Sequence, residues 1–248
     1  MPVVTEERGQ VLVARIEREE KRNAINREIS LGIEAALDTL EQTPGLRVGV
    51  LTGTTNYFSA GTDLKDRDGR TDRGAEYGMI RRRRTKPLIA AVEGPALGGG
   101  FEIVLACDLV VASSTARFGL PEGLRGVLPT SGALFRAPAA LPRNVATRMM
   151  LTGENLDPQT AFALGLVNEL AEAGQAVDKA VELGELIARS APTSVTEILR
   201  AQQELLAEDE VHGWRTTAAA VEVILKSEDM KEGAAAFFEK RAPQWPGK

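Results

Sequence analysis

The chain has 248 residues and a formal net charge of −5, from 30 Lys and Arg against 35 Asp and Glu. Hydrophobic residues make up 43% and aromatic residues 4%, a composition that excludes disordered, collagen-like and disulfide-rich classes. Apolar runs fall far short of the ~20 residues of a membrane span, and the N-terminus lacks a signal-peptide pattern. The sequence therefore predicts a cytoplasmic protein without a membrane partner, and its acidity argues against general nucleic-acid binding.

One histidine and one cysteine restrict the chemistry further. Cys107 has no partner for an internal disulfide, which fits a reducing cytoplasm. No Cys/His zinc cluster can be built within one chain, so no metal is expected. His212 falls in a predicted helix and no G-x-S-x-G motif is present, so we interpret it as a surface or interface residue. Acid–base chemistry must then come from carboxylates and backbone amides.

The first half of the chain alternates strand and helix patterns. Strands are predicted over 11–16, 48–53, 88–92 and 109–112, where short apolar runs are bounded by turn residues. A helix face repeats at Ile29, Ile33, Leu37 and Leu40 and stops at 43–45. A further helix is predicted over 101–107. This order indicates an α/β core with crossover connections.

After about residue 145 the pattern becomes mostly helical. Helices are predicted over 177–189, 195–206, 211–226 and 231–238. Pro158 suits a first helical turn, and Pro192 and Gly213 are expected to mark breaks. Four consecutive arginines, 81–84, are expected to form one exposed, solvated helix turn rather than a nucleic-acid patch, because only Tyr77 nearby could stack on a base.

Two segments, 58–65 and 94–102, carry candidate chemistry. Glycines 98–100 at a strand-to-helix junction let the backbone approach a ligand and aim free N–H groups at a developing negative charge. A tight turn or close helix–sheet packing explains a bare glycine triplet equally well. Glu102 lies one helical turn later and Glu122 follows on a separate turn. Together they form a plausible acid–base pair, although each glutamate alone fits a surface position.

These segments identify the chain as resembling the enoyl-CoA hydratase/isomerase (crotonase) family along nearly its whole length. The matching segments, in the family's order, are 21–26, 50–53, 58–65, 87–102, 106–109, 116–122, 151–154, 161–168 and 232–241. The resemblance implies an α/β superhelix of repeated ββα units, with a core over 1–190 that carries a CoA-thioester site. Over 191–248 it implies a helical oligomerisation region, and hence a homotrimer or a hexamer made of two trimers.

The resemblance also assigns roles to residues at matching positions. The backbone N–H groups of Thr62 and Gly99 would form an oxyanion hole for the carbonyl of an acyl-CoA thioester. The residues that match CoA-contacting positions are Arg22, Ala24, Ala60, Asp63, Leu64, Lys65, Phe237 and Lys240. The last two are commonly supplied by a neighbouring subunit. Coenzyme A would be part of the substrate, and no separate cofactor is expected.

Glu102 and Glu122 match both glutamates of the family's hydratases, which favours reversible hydration of a trans-2-enoyl-CoA. Another acyl-CoA reaction of the family (isomerase, hydrolase or decarboxylase) and a non-catalytic CoA- or RNA-binding role remain alternatives. Thr130 and Ser131 replace the usual glycine-rich run after the second glutamate. Their hydroxyls could bind a polar acyl group or shape the turn. With the closing 232–245 segment, they place the chain nearer a branch containing the crotonobetainyl-CoA (carnitinyl-CoA) hydratases.

Overall fold

The structure, a computed structural model, describes residues 2–66 and 69–248. Its strands are β1 Val3–Arg8, β2 Val11–Ile16, β3 Val48–Thr52, β4 Arg70–Thr71, β5 Ala75–Glu76, β6 Leu88–Val92, β7 Pro95–Leu97, β8 Leu109–Ser113, β9 Arg117–Gly119 and β10 Glu169–Ala171. Its α-helices are α1 Arg27–Gln42, α2 Gly99–Leu105, α3 Ala133–Ala140, α4 Arg143–Thr152, α5 Pro158–Ala163, α6 Ala176–Ala188, α7 Pro192–Leu205, α8 Ala207–Ile224 and α9 Glu228–Glu239. None of the helices in these two ranges is long and apolar enough to cross a membrane.

Six strands form the main sheet in the order β1-β2-β3-β6-β8-β10. Every neighbouring pair is parallel except β1 and β2, which form an antiparallel edge. The predicted strands within this sheet are confirmed, and so are the crossover connections that parallel pairing requires. Strand β1 is not predicted from the sequence, because Glu6, Glu7 and Arg8 interrupt its apolar pattern and most of this edge strand faces solvent.

The sheet separates two hydrophobic layers, because side chains alternate along each strand. On one face, Val11, Val13, Val48 and Val50 pack with Ile89 and Val111 against Ala180 and Val181 of α6. The opposite face of the sheet packs against α1 in the larger hydrophobic core. The apolar helix face predicted at Ile29, Ile33, Leu37 and Leu40 is buried as expected. The α/β core is therefore held from both sides.

A second row of short pairings runs beside the main sheet. Ser59 bridges Ala96 of β7, β7 pairs in parallel with β9, and Phe118 of β9 bridges Leu156. The chain thus passes from β6 to β7 to α2, and then from β8 to β9 to α3. In each of these units the first strand lies in the main sheet, the second is a short strand of the second row, and a helix follows. This repetition is the superhelix of ββα units that the resemblance implied.

Hydrogen bonds of the Asn23 side chain hold the loop that follows β3 in place. Asn23 is fully buried with a positive φ of 53°, and its Nδ2 donates to the carbonyl oxygens of Tyr57 at 2.7 Å and Phe58 at 3.3 Å. Its Oδ1 accepts a hydrogen bond from the Arg18 amide at 2.8 Å. On the far side of the loop, Ser59 pairs with the backbone of β7. Residues 58–62 are therefore held between two parts of the chain.

The prediction for the arginine run 81–84 is wrong. Residues 82–84 have no helical structure, and Arg84 is buried, donating to Asp108 and to the Ala106 carbonyl. Arg82 pairs with Asp38 of α1, while Arg81 pairs with Glu76 and stacks 3.8 Å from the ring centroid of Trp214. Asp38 and Asp108, which are 44 and 24 residues away from Arg82 and Arg84, draw these two arginines inward, whereas Arg81 and Arg83 are exposed as predicted.

The C-terminal third is helical as predicted, with Pro192 starting α7. The prediction of a break at Gly213 is wrong, since α8 continues through this residue. A Cβ at Gly213 would lie 2.5 Å from the Phe135 ring of α3, so glycine serves close helix packing there. Of the polar stretch 66–86, Arg67 and Asp68 lie outside the described residues.

Replacing Asn23 by alanine tests the fastening of the loop. N23A removes three hydrogen bonds from a buried site and leaves backbone groups unpaired, so it should lower the free energy of unfolding by about 2–4 kcal/mol. Chemical denaturation measures this loss. The exposed Asn56, whose side chain contacts Glu19, is the matched control, and N56A should change stability by less than about 0.5 kcal/mol. Equal effects of the two substitutions would contradict the role of Asn23.

Candidate active site

Two backbone loops touch without a side chain between them at the start of α2. Gly61 has a φ of +85°, and a Cβ built on it would lie 2.7 Å from the Gly99 amide nitrogen. A Cβ on Gly100 would collide with the Ser59 carbonyl oxygen. The glycines are therefore required for this close approach, and the contact brings the 58–62 loop against the N-terminus of α2.

The amides of Thr62 and Gly99 lie at this junction. Ile25 donates to the Gly61 carbonyl and accepts from the Asp63 amide, a parallel bridge that leaves the Thr62 N–H directed away from Ile25. Gly99 is the first residue of α2, where no intrahelical acceptor exists for its N–H. Within the described ranges, neither amide donates a hydrogen bond to a turn or loop carbonyl. Both donors are available to a ligand.

Glu102 projects from the first turn of α2 into the protein and is only 2% exposed. Its Oε1 accepts hydrogen bonds from the Ser131 amide at 2.6 Å and the Ala133 amide at 3.1 Å. Burial raises the pKa of its carboxyl to about 8, with a further increase from the charge of Glu122, while the two amides oppose the shift. The segment 131–133 therefore fixes this carboxyl where it can change protonation near neutral pH.

Glu122 reaches the same place from the 3-10 turn Pro121–Arg125 that follows β9. A Cβ on Gly98 would lie 3.0 Å from its Oε1, so this carboxyl sits over the turn that starts α2. Its Oε2 is buried and has no hydrogen-bond partner among the described residues. Burial raises the pKa of Glu122 to about 7, although Arg125 favours the charged form. An unpartnered carboxylate oxygen here can accept a proton from a bound ligand.

Tyr77 completes this cluster and was not identified from the sequence. Its hydroxyl lies 2.8 Å from Thr62 Oγ1 and fills the space that a side chain at Gly99 would take. Its φ is +57°, a conformation that costs about 1–3 kcal/mol for a non-glycine residue and often marks a functional site. The only sequence signal was an aromatic residue in a polar stretch between Gly74 and Gly78, which is too weak to identify a site residue.

The CoA-contacting positions predicted near the loop lie together around it. Ala60 donates its amide to the Arg22 carbonyl, and the Ala24 carbonyl accepts from Arg18. Asp63 is tied inside the chain, since its carboxylate accepts from the Lys65 amide at 2.9 Å and pairs with Arg18 at 2.7 Å. The Lys65 amide, together with Arg18, lowers the pKa of Asp63 although burial opposes them. Leu64 and Lys65 are exposed.

Phe237 lies on α9, and Lys240 directly follows the last residue of this helix. The Arg125 guanidinium stacks 4.8 Å from the Phe237 ring centroid, and a Cβ on Gly233 would collide with the Arg125 carbonyl oxygen. The helix α9 therefore packs behind the turn that carries Glu122 in the same chain. Lys240 is exposed at the C-terminal end of α9.

Other groups considered from the sequence lie outside the cluster. His212 is on the surface of α8, where its Nδ1 contacts Arg215, as interpreted from the sequence. Cys107 is an unpaired cysteine at the end of α2, and burial raises the pKa of its thiol to about 12. Within residues 2–66 and 69–248, no group of three or more His, Cys, Asp and Glu could hold a metal ion. Thr130 is exposed, whereas Ser131 is buried beside Glu102.

Comparisons with known proteins agree with this geometry. The family model described as Enoyl-CoA hydratase/isomerase matches residues 6–248. Enoyl-CoA hydratase EchA19 of Mycobacterium tuberculosis is 37% identical over 98% of this chain and 95% of its own length. Carnitinyl-CoA dehydratase of Proteus mirabilis is also 37% identical, over 97% of both chains. The solved structure of a carnitinyl-CoA dehydratase from Mycobacterium avium 104 superposes with a TM-score of 0.93 at 43% identity, covering 100% of this chain and 99% of that one.

The match in sequence extends over nearly the entire chain, and the match in structure includes the crotonase arrangement of ββα units. The chain belongs to the enoyl-CoA hydratase/isomerase family.

Proposed function

We propose that this protein catalyses the reversible hydration of a trans-2-enoyl-CoA to a 3-hydroxyacyl-CoA. The observation that carries the proposal is a pair of carboxyls at the N-terminus of α2, those of the buried Glu102 and of the half-buried Glu122, with pKa values raised to about 8 and about 7. Between these values the pair holds on average one proton. One member can then act as a base while the other acts as an acid.

The two free amides complement this pair. A thioester carbonyl oxygen placed between the N–H groups of Thr62 and Gly99 would be polarised, which makes the β-carbon of the enoyl group electrophilic. Negative charge that develops on the oxygen after attack would be stabilised by the same donors and by the positive end of α2. The enolate-like state therefore has fixed hydrogen-bond donors before the reaction begins.

The proton balance of hydration follows from these positions. A water molecule gives its hydroxyl to Cβ and its proton to one carboxylate, and the protonated partner delivers a proton to Cα. The unpartnered Oε2 of Glu122 is suited to hold that water, and the two amides on Glu102 orient the other carboxyl.

Coenzyme A would enter as part of the substrate, without a separate cofactor. We propose that it contacts the residues around the 58–65 loop, which are Arg22, Ala24, Ala60, Asp63, Leu64 and Lys65. Phe237 and Lys240 would reach a CoA moiety from the helical region 191–248, either in this chain or from a neighbour. Exposed Ile198, Leu205 and Val223 on α7 and α8 support burial of this region in a homotrimer or hexamer.

Glutamine at either carboxyl tests the acid–base pair. E102Q and E122Q should each reduce kcat for crotonyl-CoA by roughly 10²–10⁴-fold, because an amide cannot exchange the required proton. Loss of the conjugated thioester absorbance measures turnover, and mass analysis separates hydration from isomerisation, hydrolysis and decarboxylation. The exposed Glu154, paired with Arg148, is the control, and E154Q should retain full activity.

The proposal would fail if the wild-type protein turned over no enoyl-CoA of any chain length. It would also fail if both glutamine variants kept wild-type rates. A salt-sensitive RNA affinity that survives E102Q, without turnover, would instead favour the non-catalytic alternative.

The raised pKa values predict a bell-shaped pH profile of kcat/KM. Activity should fall below about pH 7 because both carboxyls become protonated and the base is lost. It should fall above about pH 8 because both ionise and the acid is lost. The two limbs belong to the coupled pair rather than to single residues. A rate that stays level from about pH 6 to about pH 9 would contradict the assignment.

Alanine at Gly61 tests the contact between the two loops. A side chain there would press on the Gly99 amide and strain the positive φ, so G61A should lower kcat by about 10²–10³-fold through displacement of an oxyanion donor. At Gly45 a Cβ would meet open space, which makes G45A a matched control with unchanged kinetics. Thermal melts of both variants separate a displaced donor from unfolding. Wild-type kcat in a folded G61A would contradict the role of this contact.

A further inference from the structure

The Tyr77 side chain is held with its hydroxyl directed into the candidate active site. The Tyr77 amide donates to the Gly69 carbonyl at 2.8 Å, and Glu76 on one side pairs with Arg70 and Arg81. On the other side, Gly78 is pressed against the Ser30 carbonyl of α1, with no space for a Cβ. The ring is 5% exposed. The strained backbone at Tyr77 thus directs this side chain inward from a segment anchored at both ends.

The hydroxyl lies between the two halves of the site. It is 2.8 Å from Thr62 Oγ1 and occupies the place that a Cβ on Gly99 would take. Burial first, and then the negative charges of Glu102 and Glu122, raise the pKa of Tyr77 well above its usual value. The phenol therefore stays neutral and can donate a hydrogen bond at any working pH.

The hydroxyls of Thr62 and Tyr77 consequently lie together beside the first turn of α2, next to the amide of Gly99. An acyl chain whose carbonyl lies at the amides and whose Cα and Cβ lie at the carboxyls must continue past them. A purely alkyl chain would cover these hydroxyls and remove their hydrogen bonds to water without offering new ones. A polar substituent on the chain could form a hydrogen bond with them. Sites built to bond a substrate hydroxyl reject the analogue that lacks it.

We propose that Tyr77 is a specificity-determining residue that selects 2-enoyl-CoA substrates with a hydrogen-bonding group on the acyl carbons just beyond Cβ. This inference rests on the proposed function for the placement of the acyl chain. The Thr62 hydroxyl supports the Tyr77 hydroxyl, and the Tyr77 hydroxyl makes the contact with the acyl group.

The test compares crotonyl-CoA with 4-hydroxycrotonyl-CoA, which differ by one hydroxyl. Wild-type kcat/KM should favour the hydroxylated substrate by about tenfold or more, the worth of one hydrogen bond in a buried site. Y77F keeps the ring and removes the hydroxyl, so this preference should fall to about threefold or less. The other tyrosine in the chain, Tyr57, is the control, and Y57F should leave the ratio of the two kcat/KM values unchanged.

The possible outcomes distinguish failure of this inference from failure of the proposed hydration reaction. A ratio that Y77F leaves unchanged overturns the inference while hydration stands. Equal losses on both substrates also overturn it and make Tyr77 a positioning residue for Thr62 and Glu102. If neither substrate turns over, calorimetric binding of 4-hydroxybutyryl-CoA and butyryl-CoA decides. A Tyr77-dependent affinity ratio then supports selectivity without hydration, whereas equal affinities or no binding overturn the selectivity.

Discussion

The contact between the 58–62 loop and the first turn of α2 is the constraint on which the rest of the site depends. It requires glycine at positions 61 and 100, because a Cβ at either would strike backbone atoms of the other loop. It places the amides of Thr62 and Gly99 at one junction, although the two residues come from different ββα units. Asn23 and the pairing of Ser59 with β7 hold this junction from both sides.

Burial of the two glutamates follows from the same junction. Glu102 is one turn into the helix that begins there, and Glu122 reaches over Gly98 from the next unit. Two carboxyls removed from water cannot both ionise easily, so their pKa values rise toward neutrality. The amides of residues 131 and 133 orient the Glu102 carboxyl, whereas Oε2 of Glu122 has no hydrogen-bond partner in the described part of the chain. A common cause, the packing of successive units, thus brings the two backbone amides and the two carboxyls to one place.

Part of the fold and of the candidate site follows from local sequence patterns. The main-sheet strands β2, β3, β6 and β8 were predictable because buried parallel strands are short apolar runs. The glycine triplet and the two glutamates were recognisable because their spacing follows local geometry and resembles a known family. The edge strand β1 and the short strands β7 and β9 were missed, since their pairing depends on partners rather than on their own pattern. The arginine run failed for the same reason: Asp38 and Asp108, which pair with two of its members, are distant in sequence.

By itself, the sequence determined the α/β class, the helical C-terminal third and the residues able to supply acid–base groups, since these depend on composition and short-range periodicity. Only the tertiary structure decided that Tyr77 stands between Thr62 and Gly99, that Ser131 and Ala133 hold Glu102, and that α9 packs behind the turn of Glu122 in the same chain. These are contacts between segments separated by 15 residues or more. Burial and hydrogen bonding across such separations arise from packing, which no local pattern encodes.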